Sequence, residues 1–90
     1  MLEINIKVSN PLGLHARAAA QLVRLADTFQ SDIELCRTDN GVTANAKSIL
    51  SVLTLAASKG IPLKIKAEGT DEKAALEALE NLFANGFGEI

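Results

Sequence analysis

A histidine at the start of a predicted helix is the feature of this sequence with the clearest chemistry. The segment 10–17, NPLGLHAR, contains the single histidine of the 90-residue chain, His15, with Arg17 two residues later. A neutral imidazole nitrogen can attack phosphorus, and the free N–H groups of a helix start, together with a guanidinium, can receive the resulting anion. The same helix dipole disfavours an imidazolium, so His15 is predicted to be neutral and nucleophilic. The segment is therefore predicted to hold a phosphoryl group.

A simpler interpretation is that His15 only caps the helix or stands exposed beside it. If His15 is chemically active, its neighbours in the sequence favour phosphoryl acceptance over metal binding or hydrolysis. No second histidine, nearby cysteine or paired carboxylate accompanies it in the sequence, so a metal site and general acid–base hydrolysis both lack their groups. Gly13 permits a tight turn before the helix, and the short alanines that follow leave room for a partner. No metal and no cofactor are predicted.

Composition limits the class of protein. Ninety residues with 48% hydrophobic content are enough for one modest core, which predicts a single domain over residues 1–90. A net charge of −2 and a pI near 5.3 argue against a nucleic-acid partner. Cys36 is the only cysteine and is interpreted as a half-buried or surface thiol. No stretch is apolar enough to cross a membrane, so we expect a protein that does not insert into membranes. We also expect it to be cytoplasmic and monomeric.

Hydrophobic periodicity predicts the elements that must position the histidine. Alternation over residues 2–8 predicts a strand, and apolar residues at helical spacing predict a helix over 16–28. Ile33 and Leu35 begin a hairpin that turns at 39–41 and returns through 42–44.

The second half of the chain continues the same alternation of elements. A short helix is predicted over 48–57, with Lys59 and Gly60 as its end, followed by a strand over 61–67. Thr70 is the predicted N-cap of a helix over 71–84, which Gly86 or Gly88 terminates. The order β-α-β-β-α-β-α predicts an α+β fold, in which three helices cover one face of a four-stranded antiparallel sheet.

Asn10 and the segment 13–17, GLHAR, resemble the active-site signature of the histidine-containing phosphocarrier (HPr) family of the bacterial phosphotransferase system. The segments 45–50, NAKSIL, and 57–60, ASKG, also fit this family, and the resemblance covers essentially the whole chain. It implies the family's open-faced β-sandwich and a phosphocarrier that is not an independent enzyme. Both the sugar-transport branch (HPr) and the nitrogen-related branch (NPr) share this active site, and segments 53–60 and 82–87 look closer to the nitrogen-related branch. The family usually has proline at the position of Ala18.

The resemblance also implies the role of each site residue. His15 would accept a phosphoryl group on Nδ1 from a phosphohistidine of enzyme I and pass it to a histidine of an enzyme IIA domain. Arg17 would hold the phosphate oxygens, the Ala16 and Arg17 amides would complete the cradle, and Asn10 would help to position the loop. Ala18 has an N–H that the usual proline lacks, and this extra donor is predicted to join the phosphate-binding set of Asn10, Ala16, Arg17 and Ala18. The alternative function is a mainly regulatory binding module whose phosphorylation state selects its partners. A small stand-alone hydrolase is a third class, which lacks a second catalytic group.

Ser48 and the short helix that follows it suggest regulation and docking. Ser48 matches the serine that an HPr kinase/phosphorylase modifies in many bacteria; alternatively, it is only an N-cap. The short helix cannot turn all its apolar side chains inward, so part of it should form an exposed patch. By resemblance, this patch would dock on enzyme I and enzyme IIA together with one side of the first helix. The predicted docking residues are Ala19, Ala20, Arg24, Ile49, Leu50 and Leu53, and the alternative is that the run Ile49–Leu55 is entirely core.

Overall fold

The computed structural model describes residues 1–89; Ile90, the last residue of the predicted domain, lies outside the described residues. The chain forms β1 (Leu2–Lys7), α1 (Ala16–Ala26), β2 (Asp32–Arg37), β3 (Thr43–Asn45), α2 (Ile49–Leu53), β4 (Pro62–Glu68) and α3 (Glu72–Ala84). A 3₁₀ turn at Gly86–Gly88 follows α3. The predicted order of strands and helices is confirmed, and α1 ends two residues before its predicted end.

The four strands form one antiparallel sheet in the order β1-β4-β2-β3. Its register aligns apolar side chains in rows across one face, and the central row is Ile4, Ile65, Leu35 and Ala44. The neighbouring row has polar side chains: Glu3, Lys66, Glu34 and Asn45. Because successive side chains of a strand point to opposite faces, this row lies on the other face of the sheet. The apolar face is covered by helices, which confirms the predicted α+β architecture.

Each long helix buries a single stripe of side chains. In α1 the stripe consists of Ala18, Ala19, Leu22, Val23 and Ala26. In α3, which packs on β1 and β4, it consists of Ala75, Leu76, Leu79 and Phe83. The Phe83 ring meets Phe87 edge to face, with ring centroids 4.9 Å apart. This contact anchors the C-terminal turn against the core.

The second helix is shorter than predicted. It ends at Leu53 rather than near residue 57, so Lys59 and Gly60 do not form its last turn. Two contacts explain the early end. The Arg37 guanidinium donates hydrogen bonds to the carbonyl oxygens of Leu55 (2.9 Å) and Ala56 (3.4 Å), and Ala56 has a left-handed φ of 49°. This conformation cannot continue a right-handed helix.

Asp71, rather than the predicted Thr70, occupies the N-cap position of α3. Its carboxylate does not cap its own helix. Instead, it accepts hydrogen bonds from the backbone N–H groups of Gln30 (2.8 Å) and Ser31 (2.9 Å) and from the Ser31 hydroxyl. Ser31 is fully buried, so Asp71 supplies partners for polar groups that water does not reach. The side chain thus joins the α1–β2 loop to the start of α3.

Replacing Asp71 with asparagine is expected to lower the Tm by about 5 °C near neutral pH. The two carboxylate oxygens accept from the N–H groups of Gln30 and Ser31, and the amide NH₂ group would leave one of these donors without an acceptor. Hydrogen bonds from Ser31, first its hydroxyl, and from Gln30 hold the pKa of Asp71 below its ordinary value of 3.8. A lowered pKa stabilises the folded state above that value, and the contribution is lost as pH falls through the folded-state pKa. The wild-type and Asp71→Asn melting curves should therefore converge as the pH is lowered through this range. The exposed Asp32, changed to asparagine, is the matched control; a gap in Tm that is independent of pH would contradict the prediction.

Candidate active site

The loop before α1 is held by hydrogen bonds within itself and to a neighbouring loop. Asn10 is fully buried, and its Nδ2 donates to the carbonyl oxygen of Gly13 at 2.7 Å. The Gly13 N–H returns a bond to the Asn10 carbonyl oxygen at 3.1 Å. The next N–H, from Leu14, donates to the carbonyl oxygen of Ala57 at 2.8 Å. The Asn10 side chain therefore bonds across the loop before α1, and the Leu14 bond ties this loop to Ala57.

His15 occupies the N-cap position of α1, as predicted. Its backbone is extended, with φ −73° and ψ 178°, and its carbonyl oxygen accepts the Ala19 N–H. The imidazole Nδ1 accepts the backbone N–H of Arg17 over 3.3 Å, a long hydrogen bond. The His15 side chain is 27% exposed. The ring edge that carries Nδ1 therefore lies at the positive end of the helix dipole.

A carboxylate that the sequence analysis did not assign lies at the other edge of the ring. Glu89 Oε2 is 2.5 Å from His15 Nε2, and its Oε1 accepts from Asn10 Nδ2 (3.2 Å) and the Leu12 N–H (3.4 Å). The sequence shows no paired carboxylate near the histidine, and the structure brings this single one to the ring from a distant segment. The hydrogen bond to His15, with those from Asn10 and Leu12, holds the pKa of Glu89 below its ordinary range.

The predicted phosphate-binding residues differ in accessibility. Ala16 and Arg17 are exposed residues next to His15 in the chain, and the Arg17 N–H donates to His15 Nδ1. Ala18 is fully buried, which contradicts the prediction that its amide contacts phosphate. The Nδ2 group of Asn10 is already shared between Gly13 and Glu89, so its contribution is to the shape of the loop rather than to a free anion site.

The predicted docking residues are also divided by burial. Leu50 is 78% exposed and Ile49 is 42% exposed, so the alternative that the whole of α2 is core is wrong. Val52 and Leu55 are buried, and Leu53 is half-buried against the core. Of the predicted α1 residues, Arg24 is exposed and Ala20 is half-buried. Ala19 is fully buried, so the prediction that it contacts a partner is wrong: its position in α1 turns it towards the core.

Ser48 lies at the N-cap of α2, and its hydroxyl oxygen accepts the Ser51 N–H at 3.3 Å. The predicted capping role is therefore confirmed, and the side chain is half-buried.

An exposed apolar residue that sequence reasoning missed is Leu12, in the loop that carries His15, at 69% exposure. Its only sequence signal was an apolar residue beside a proline and a glycine in a predicted turn.

The described residues contain no metal-binding cluster, no membrane-spanning helix and no disulfide. Within positions 1–89, no three histidine, cysteine or acidic side chains come together as metal ligands. No helix over the same positions is long and apolar enough to cross a membrane. Cys36 is half-buried on β2 as a free thiol, as predicted.

Comparison with known proteins identifies the family. The family model described as "PTS HPr component phosphorylation site" matches residues 2–85. The chain belongs to the HPr phosphocarrier family. Proteins of this family carry a phosphoryl group and are not enzymes in their own right.

Relatives with both branch names match this HPr-family chain. The phosphocarrier protein HPr of Xylella fastidiosa is 47% identical over 89 residues, covering 99% of this chain and 98% of the relative. The phosphocarrier protein NPr of Proteus mirabilis is 43% identical over 84 residues, covering 93% and 92%. The crystal structure of HPr-C-His from Thermoanaerobacter tengcongensis superposes with a TM-score of 0.93 at 41% identity, covering 100% and 99%. The fold implied by the resemblance is therefore confirmed.

Proposed function

We propose that this HPr-family protein accepts a phosphoryl group on His15 Nδ1 from a phosphohistidine of enzyme I and passes it to a histidine of an enzyme IIA domain. The observation that carries the proposal is the position of Nδ1, which accepts the Arg17 N–H at the start of α1. A nitrogen that accepts a hydrogen bond has its lone pair available on that side of the ring. The nucleophilic nitrogen therefore lies at the helix start, and Arg17, two residues along the chain, is exposed.

The transfer step exchanges one N–P bond for another. The Nδ1 lone pair forms a bond to phosphorus while the N–P bond of the donor histidine breaks and returns its electron pair to the donor ring. The long 3.3 Å bond between Arg17 N–H and Nδ1 is released, so this N–H can donate to a phosphoryl oxygen instead. The Arg17 guanidinium supplies a permanent charge and a planar set of donors for the other oxygens. Transfer to enzyme IIA runs the same step with His15 as the donor.

Incubation of the protein with enzyme I and labelled phosphoenolpyruvate tests this proposal. We expect one acid-labile phosphoryl group per chain and a ³¹P resonance typical of phosphohistidine. Addition of an enzyme IIA domain should remove the label from this chain and place it on the domain. The absence of label, or an acid-stable label, would refute the proposed carrier function.

The exposed apolar side chains of α2 support a role in docking. Replacing Leu50 with glutamate is expected to raise the KM for phosphorylation by enzyme I at least about tenfold, equivalent to about 1.4 kcal/mol. A carboxylate at the centre of an apolar contact would lose its water without gaining a partner. The circular dichroism spectrum should not change, because Leu50 is 78% exposed and contributes little to the core.

The matched control for Leu50 is Leu2→Glu. Leu2 is also an exposed leucine, but it begins β1 at the sheet edge opposite β3, the strand that α2 contacts. Its KM with enzyme I should remain at the wild-type value. Equal increases in KM for both variants would contradict a docking role specific to α2.

Regulation through Ser48 is a separate part of the proposal. The hydroxyl caps a helix start, where a phosphate group is electrostatically favourable. A phosphate there would stand directly before the exposed Ile49 and Leu50 and would add negative charge to the proposed docking surface. Incubation with an HPr kinase/phosphorylase and ATP tests the assignment, and an unchanged yield of acid-stable phosphate on Ser48→Ala would contradict it. Separately from Ser48, we propose that the protein is cytoplasmic and monomeric.

A further inference from the structure

The two edges of the His15 ring face opposite charges. Nδ1 meets a backbone N–H at the positive start of α1, whereas Nε2 meets the Glu89 carboxylate. A carboxylate only accepts hydrogen bonds, so Nε2 must carry the proton in this contact. The ring is thus held with the proton on Nε2 and the lone pair on Nδ1.

The position of Glu89 is set by contacts on both sides of the C-terminal turn. Phe87 is buried and packs edge to face on Phe83. The Phe87 carbonyl oxygen accepts a hydrogen bond from Gln21 of α1 at 3.4 Å. Beyond this anchor, Glu89 reaches the loop through Asn10 and the Leu12 N–H. The carboxylate is therefore held at the loop by bonds that do not involve His15.

We propose that Glu89 is a positioning residue that directs the phosphoryl group to Nδ1 by holding the proton of His15 on Nε2. The inference rests on the proposed carrier function and adds the residue that selects the ring nitrogen. Glu89 acts in two ways. First, the carboxylate accepts a hydrogen bond from the Nε2–H group, so Nε2 keeps its proton and has no free lone pair for attack. Second, the negative charge of Glu89 repels an anionic phosphoryl donor from that edge of the ring. When Nδ1 forms the bond to phosphorus, the ring gains positive charge, which the carboxylate at Nε2 stabilises.

Phosphorylation by a small reagent separates this role from recognition by enzyme I. Phosphoramidate transfers its phosphoryl group to histidine nitrogen with release of ammonia, and ³¹P NMR distinguishes the Nδ1 and Nε2 products. We expect wild-type protein to react chiefly at Nδ1. In Glu89→Ala, the ratio of Nε2 to Nδ1 product should rise at least about tenfold, the effect of losing one hydrogen bond to a charged group. An unchanged ratio would overturn the proposal.

The ring proton provides a second readout in the unphosphorylated protein. Wild type should show a slowly exchanging Nε2–H resonance in a ¹⁵N–¹H spectrum, and Glu89→Ala should lose it. Glu80→Ala is the matched control, because Glu80 is an exposed glutamate on α3 and should leave both readouts as in wild type. The absence of the resonance from wild type would also overturn the proposal. Failure of enzyme I to label wild type would refute the carrier function instead, since neither readout uses enzyme I.

Discussion

Replacing His15 with alanine is expected to reduce labelling by enzyme I and phosphoenolpyruvate to the level seen without enzyme I. The described structure offers no substitute nucleophile at this position. The Arg17 guanidinium is always protonated, and Cys36 lies on β2, where its register with Lys64 places it on the polar face of the sheet. The helices, and with them the start of α1, cover the other face. Loss of the imidazole should therefore remove the reaction completely rather than redirect it.

Competition with wild type distinguishes lost chemistry from lost structure in the His15→Ala variant. The exposed side chains of α2 do not depend on the imidazole, so the variant should still bind enzyme I. We expect it to inhibit the labelling of wild type with an inhibition constant close to the wild-type KM. Label on the variant equal to that on wild type would refute His15 as the acceptor. Loss of inhibition would contradict the separation of docking from chemistry.

The fold and the position of His15 at the start of α1 were predictable because their signals are local. Alternation in β1 and helical spacing in α1 follow directly from the burial of one face. The N-cap position of His15 follows from where helical spacing begins. Glu89 was not predictable on these grounds. It is one of 11 acidic residues and lies 74 positions from His15. The packing of Phe87 on Phe83 and the hydrogen bonds from Asn10 and Leu12 hold it at the ring.

The errors in the predicted site have a common physical origin. Ala19 was assigned to the docking surface by resemblance and Ala18 to the phosphate site through its N–H, but both are buried, and alanine itself gives little indication of which side of a helix is buried. The end of α2 was set too late because it depends on Arg37, a side chain from another element that draws two carbonyl oxygens away from the helix. Such contacts between distant segments leave no periodic pattern in the sequence.

Gly13 lies against the backbone of the Ala57 loop, and Gly13→Ala is expected to destabilise the domain by about 3 kcal/mol. The residue has φ +66°, and an added Cβ would lie 2.5 Å from the Ala57 carbonyl oxygen and 2.8 Å from the Ser58 Cα. These are backbone atoms, which cannot rotate away. The Leu14 N–H bond to Ala57 would break, adding about 1–3 kcal/mol to about 1–2 kcal/mol for left-handed alanine. Thermal or denaturant unfolding measures the sum.

Gly41→Ala is the control that separates backbone strain from steric contact. Gly41 has a similar φ of +77°, but nothing lies within 4 Å of its added Cβ. It should therefore cost only about 1–2 kcal/mol and leave phosphoryl transfer unchanged. Gly13→Ala should in addition slow labelling by enzyme I in the fraction that remains folded, because the displaced loop carries His15. Equal destabilisation by the two substitutions would show that the contact with the Ala57 loop does not hold the site. A larger cost at Gly13 with slower labelling would show that this contact sets the position from which His15 attacks.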